Sequence, residues 1–314
     1  MSGSADQSHP GVGATIRTWS EMVKFSHSVF ALPFAMMATF LAGREIDGVG
    51  HPHRGQLFLI ILCMVAARSV AMTFNRIVDA KIDARNPRTA GRPIPAGLLT
   101  MRAAVIFLIV ATVVFGLGCL GFSLGYENDW PILLAGPTLL YLCGYSLTKR
   151  FTRWSHFYLG SAIAFSPVAA WIAIDPGSLG LSAVALMGAV TFWIAGFDMI
   201  YACQDIDVDR AEGLHSLPSR LGVGRALCLA RMSHALAVVL LTAVGWLSGL
   251  GWIYYVGVLV VACLLVYENS LVRADDLSRV NLAFFTVNGI VSVVLGFLAI
   301  VDIMLAMPAV LPDW

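Results

Sequence analysis

Two stretches of this chain place carboxylates where an apolar run had no need of them. The first is Asn75-Arg76-Ile77-Val78-Asp79-Ala80-Lys81-Ile82-Asp83. Asn75, Asp79 and Asp83 follow i, i+4, i+8, so on a helix continuing from near Leu57 they share one face and rise about 6 Å per step. In the second stretch, Asp198, Tyr201, Asp205 and Asp209 follow i, i+3, i+7, i+11 and also share a face. Asn75, Asp79 and Asp83 map onto Tyr201, Asp205 and Asp209 with one constant offset of 126 residues. Together with Asp207 and Glu212 these ladders hold seven of the 19 acidic residues. Such oxygens suit a hard divalent cation, since Mg²⁺ takes one or two carboxylates and completes its shell with water and phosphate oxygens. Beside Arg- and Lys-rich loops, the set suits a Mg²⁺-bound diphosphate, with metal bridging carboxylate to phosphate and basic groups taking the other oxygens. A single ladder reads equally well as a solvated helix end. Two ladders of related spacing favour a site.

The elements that must position these residues are membrane spans. The chain is 58% hydrophobic and 12% charged, with mean hydropathy +0.80, against roughly 25% charged residues in soluble domains. About nine stretches are long and apolar enough to span: 23–42, 57–77, 103–124, 131–147, 156–174, 180–200, 227–248, 252–271 and 282–306. Residues 1–22 are polar and show no cleaved secretory signal, so they read as a cytoplasmic N-terminus ahead of one multi-pass domain over 23–314. The six cysteines lie in or beside apolar runs without metal-type pairing, and read as small buried hydrophobes.

Positive charge sets the expected orientation. Of 20 Lys and Arg, only Arg44, Arg54 and Arg68 fall outside the N-terminal end and the alternate loops after spans two, four, six and eight, so 17 lie on one side. The positive-inside rule makes that side cytoplasmic, with the N-terminus in, the C-terminus out and both ladders opening to the cytoplasm. Ionisable groups inside spans are costly and mark functional sites. Arg68, one helical face above Asn75, and Lys24, beside His27 on span one, are therefore candidates for contacting a substrate. Snorkelling or interfacial packing is the plainer reading of each.

With these residues in view, the sequence resembles the UbiA-type intramembrane aromatic prenyltransferases. The resemblance is carried by Asn75-x-x-x-Asp79-x-x-x-Asp83, the Arg88-Thr89…Arg92-Pro93 loop, Tyr145-x-x-x-Lys149-Arg150 and Asp198-x-x-Tyr201-Ala202-x-x-Asp205-x-x-x-Asp209. It implies an all-α membrane protein with about nine transmembrane helices around a central cavity. It implies Mg²⁺ as cofactor, held with the diphosphate at Asn75, Asp79, Asp83, Asp198, Asp205 and Asp209. Tyr201 is counted with the catalytic set, Arg88, Arg92, Lys149 and Arg150 with the diphosphate oxygens, and Lys24 and Arg68 with the acceptor. The implied substrates are a polyprenyl diphosphate and a small aromatic acid, with the lipid bilayer as surroundings and no nucleic-acid partner. The runs Lys24 to Phe34 and Asn75 to Arg92 are similar to a branch labelled 4-hydroxybenzoate polyprenyltransferase, which implies a place in ubiquinone or menaquinone synthesis. An Arg-x-x-Lys-Pro-x-Gly pattern found in proteobacterial 4-hydroxybenzoate enzymes is absent from span one, so 1,4-dihydroxy-6-naphthoate stays open as acceptor. A cation-coupled transporter is the reading from another class. It would place its acids nearer the membrane midplane. A CDP-alcohol phosphotransferase lacks its Asp-Gly-x-x-Ala-Arg start here.

Overall fold

The computed structural model describes residues 12–23, 30–44 and 51–306, with side chains from Thr18 onward. Lys24 and His27, the span-one candidates, lie outside the described residues. Among the described residues there is no strand. The elements in order are α1 (Val12–Val23), α2 (Leu32–Gly43), α3 (Arg54–Val78), α4 (Ala80–Arg85), α5 (Met101–Tyr126), α6 (Trp130–Thr148), α7 (Ser155–Ile174), α8 (Leu181–Ala202), α9 (Ile206–Ala211), α10 (Leu217–Leu221), α11 (Val223–Leu247), α12 (Trp252–Leu271) and α13 (Asn288–Ala306), the last entered through a π turn at Leu282–Val287. Eight helices are long and apolar enough to cross a membrane, and the described part of the first expected span, α2, is shorter. This is the all-helical, multi-pass membrane architecture expected from the apolar runs.

Packing centres on α8, which meets α11 and α7 most extensively. Small residues let these backbones approach: a Cβ on Gly160 of α7 would collide with the Thr191 carbonyl oxygen of α8. Inside the bundle, Trp193 Nε1 donates to Asn288 Oδ1 at 2.7 Å, and Asn288 Nδ2 donates to Glu268 Oε1 at 2.9 Å. That relay ties α8, α13 and α12 together where water cannot satisfy polar groups. Thr100 caps α5 by accepting the Ala103 N–H at 3.1 Å, which fixes where the loop after α4 re-enters the membrane.

Three expectations change. The polar N-terminus contains α1, because Ile16, Trp19 and Val23 recur at helical spacing. Trp19 packs on Phe107 of α5 with ring centroids 4.7 Å apart, and Met22 is wholly buried. The helix after Leu57 does not run unbroken through the first ladder but stops at Val78, with Asp79 as its C-cap at φ −92°, ψ 2°. The six cysteines are free, yet Cys228 and Cys263 are exposed, as a small apolar side chain on the outward face of a membrane helix can be at no cost.

Candidate active site

The membrane-edge ends of α3, α6 and α8 meet the start of α7, and between them lies a cavity of about 220 Å³. Its lining includes Asn75, Asp79, Asp83, Arg88, Arg92, Lys149, Arg150, Asp198, Tyr201, Asp205 and Asp209. The structure thus brings together every expected site residue except Lys24, which is not described, and Arg68. Arg68 is half-buried deeper in α3. Tyr145, which does line the cavity, is within its electrostatic reach.

Local backbone aims each acid. Asp79 sits in the sparsely populated bridge region between α3 and α4. Helical hydrogen bonds still run through the break, from Asp79 N–H to the Asn75 carbonyl at 2.9 Å and from Asp83 N–H to the Asp79 carbonyl at 2.8 Å. The ladder therefore keeps its spacing while bending. After α4, Asn86 starts a compact turn: its Oδ1 accepts the Arg88 N–H at 2.9 Å, and its carbonyl accepts from Thr89 and Ala90. This side-chain mimic of a turn folds the loop back so that Arg88 and Arg92 face the two acidic segments. On the other side, α8 tightens into a 3₁₀ turn at Cys203–Asp205 before α9.

The charges pair across these segments. Arg88 grips Asp205 with two bonds, Nε at 2.9 Å and Nη2 at 2.5 Å, and donates from Nη1 to the Tyr201 hydroxyl at 2.9 Å. Asn86 Nδ2 adds a bond to Asp205 at 3.2 Å. Arg92 Nη1 donates to both oxygens of Asp83 at 2.6 Å. The guanidinium of Arg76, only 3% exposed, lies 3.9 Å from the same carboxylate. Arg150 Nη2 donates to Asp79 at 2.8 Å, and Asn75 Nδ2 donates to the other Asp79 oxygen at 2.8 Å. Burial pushes the Asp79 carboxyl above its ordinary value, with the Arg150 hydrogen bond opposing. Asp198 meets His156 Nδ1 at 2.7 Å. Asp209 is the exception: its Oδ2 is buried without a hydrogen-bond partner, and Lys149 Nζ is 4.0 Å away.

The donor set suits a hard cation. Asn75 and the five aspartates of the lining offer oxygen, and one buried carboxylate oxygen of Asp209 lacks a donor. Among the described residues no three acidic, His or Cys side chains form a ready-made metal cage. An ion of the Mg²⁺ type takes one or two carboxylates and draws the rest of its shell from phosphate and water.

Arg76, Asn86, Tyr145 and His156 were not assigned by sequence reasoning. Asn86 carried a signal, since Asn before Pro starts turns. Tyr145 stood in the motif that ends in Lys149-Arg150. Arg76 and His156 carried only the general signal of an ionisable group within an expected span, because only the fold shows what they face.

The sequence profile described as the UbiA prenyltransferase family matches residues 31–301. The chain is 30% identical over 262 residues to the 4-hydroxybenzoate octaprenyltransferase of Tolumonas auensis, covering 83% of this chain and 87% of that one. Its fold is similar to the apo structure of a UbiA homolog from Aeropyrum pernix K1, with TM-score 0.77, 29% identity and coverage of 88% and 98%. It is also similar to a UbiA homolog from Archaeoglobus fulgidus bound to GPP and Mg²⁺, with TM-score 0.70 and coverage of 91% and 99%, where 18% identity speaks for the fold alone.

Proposed function

Since this chain belongs to the UbiA prenyltransferase family and is a prenyltransferase, we propose that it moves a polyprenyl chain from polyprenyl diphosphate to 4-hydroxybenzoate in quinone synthesis. The observation that carries this reading is the single cavity in which two acidic segments face Arg88, Arg92, Lys149 and Arg150. The name of the Tolumonas auensis relative supports the choice of acceptor. Asn75, Asp79, Asp83, Asp198, Asp205 and Asp209 would hold Mg²⁺. When bound, that ion supplies positive charge that makes diphosphate a better leaving group.

The chain's own cations complete the chemistry. Arg88, Arg92 and Arg150, now on carboxylates, turn to phosphate oxygens when the diphosphate enters, and Lys149 joins them. Preorganised charge at the departing diphosphate is the main catalytic effect. As the allylic C–O bond ionises, electrons leave with the diphosphate. The ring carbon ortho to the phenolic hydroxyl then forms the new C–C bond, and loss of its proton restores aromaticity. Ile82, Leu159, Ala202, Val208 and Leu214 in the lining shelter the allylic cation from water. The Tyr201 hydroxyl holds Arg88 in place. Arg68, deeper in α3, is assigned to the acceptor carboxylate together with Lys24. Arg68→Ala should then raise KM for the aromatic acid more than KM for the prenyl diphosphate, and equal effects on both would remove that assignment.

We place the site on the cytoplasmic face of the cell membrane, with the N-terminus in and the C-terminus out. The 17 basic residues on one side support this. In a cysteine-free background, an impermeant thiol reagent should label Asp313→Cys and spare Ala211→Cys in intact cells. For the activity, purified protein is offered polyprenyl diphosphates of several lengths with 4-hydroxybenzoate and, separately, with 1,4-dihydroxy-6-naphthoate, and products are weighed by mass spectrometry. Mg²⁺-dependent prenylated 4-hydroxybenzoate is expected. Product from the naphthoate alone would replace the acceptor.

A further inference from the structure

His156 is the second residue of α7 and wholly buried. One edge of its ring meets the site, with Nδ1 at 2.7 Å from Asp198 Oδ2. The opposite edge meets backbone, with Nε2 accepting the Leu217 N–H at 3.3 Å. A backbone N–H only donates, so Nε2 carries no proton and the single ring proton belongs on Nδ1, donated to Asp198. The ring is thereby locked in one tautomer and one orientation, and Asp198 with it.

Leu217 is held in turn. Its neighbour Ser216 is wholly buried and caps α10, accepting the Ser219 N–H at 3.3 Å while the Ser219 hydroxyl accepts the Ser216 N–H at 3.1 Å. One residue earlier, His215 N–H donates to the Lys149 carbonyl at 2.6 Å. Residues 215–217 are thus fastened on one side to the backbone of Lys149, whose side chain approaches Asp209, and on the other to the imidazole that meets Asp198.

We propose that His156 is a positioning residue that aims the Asp198 carboxylate at the metal–diphosphate group, with segment 215–217 fixing its tautomer. The proposal rests on the reading of Asp198 as a metal-site residue. Ligating carboxylates depend on such outer partners, whose loss typically costs about 10–100-fold in metal affinity. A His buried only for packing would leave metal affinity alone.

The test titrates Mn²⁺ into purified protein with inorganic pyrophosphate present, reads bound metal by electron paramagnetic resonance, and checks each fold by melting. Asn places its amide nitrogen near the position of Nδ1, and Gln near that of Nε2. His156→Ala and His156→Gln should therefore weaken Mn²⁺ binding by about 10-fold or more, and His156→Asn should recover most of the loss. Unchanged affinity in the Ala and Gln variants, or an Asn variant as weak as Ala with normal melting, overturns the positioning role. Should the Ala variant not fold, the contrast between Gln and Asn decides. Asp198→Asn runs alongside. If it leaves Mn²⁺ binding intact, Asp198 is not a metal-site residue and the proposal falls for that separate reason.

Discussion

At Asp79 the backbone turns through φ −92°, ψ 2°, and 126 residues later, at Asp205, through φ −106°, ψ 7°. Each turn is followed by a six-residue helix, Ala80–Arg85 or Ile206–Ala211, that carries the acid four residues on, Asp83 or Asp209, in its first turn and buried. The constant sequence offset is therefore matched in backbone geometry. The partners are not matched. In the first segment both acids meet arginines, Asp79 with Arg150 and Asp83 with Arg92 and Arg76. Of the three aspartates Asp198, Asp205 and Asp209 in the second, Asp205 alone pairs with an arginine, Arg88, which the loop after the first segment supplies. Asp198 leans on an imidazole, and Asp209 keeps a buried oxygen without a donor. A buried carboxylate with incomplete compensation is costly. The first segment is thus countered by guanidinium groups that donate directly to its carboxylates, whereas Asp209 has only the Lys149 ammonium at 4.0 Å and keeps an oxygen free to meet an incoming cation.

The harshest way to break this comparison is to remove one charge from each segment. Asp79→Asn and Asp205→Asn should each lower turnover by about 100-fold or more, with the double variant little worse, because residues that act as a unit are non-additive. Wild-type turnover in either, across a Mg²⁺ titration, would reduce that segment to a structural helix end. The unequal pairing is sharpened by stability in the metal-free protein. Asp83→Asn leaves the buried Arg76 and the mostly buried Arg92 without their carboxylate and should cost about 3 kcal/mol. Asp209→Asn removes the poorly compensated charge and should raise Tm, so a fall in Tm of equal size in both would erase the distinction.

A smaller effect follows from the resting ion pairs. A diphosphate that draws arginines off the acids frees them for metal, so pyrophosphate should tighten Mn²⁺ binding by about 10-fold, a coupling of roughly 1.4 kcal/mol. By reciprocity Mn²⁺ should tighten pyrophosphate equally. Independent binding isotherms would deny the exchange. The weakest link is the Arg85–Glu212 pair that joins the ends of the two segments at 2.8 Å, with Arg85 65% exposed. Screening by water limits such a pair to about 0.2–1 kcal/mol, and Arg85→Ala should change turnover less than twofold.

The sequence alone determined the class of protein and picked out residues that the fold gathers around one cavity. Hydropathy is a sum over neighbours along the chain, so eight spans were legible as runs, and the ladders were legible because a helix converts spacing into a shared face. The same logic missed α1, where apolar residues sit inside a polar stretch. It also carried the first ladder straight through Asp79, because nothing local announces a bridge-region residue between Val78 and Ala80. Which cation meets which acid was decided by tertiary structure. Arg88 reaches Asp205 across 117 residues, Arg150 reaches Asp79 across 71, and His156 reaches Asp198 across 42. Charges act through space with an energy that depends on distance and surroundings. Only the packing of α3, α6, α7 and α8 brings these helix ends to one cavity, and only burial there makes an oxygen without a donor, such as that of Asp209, count.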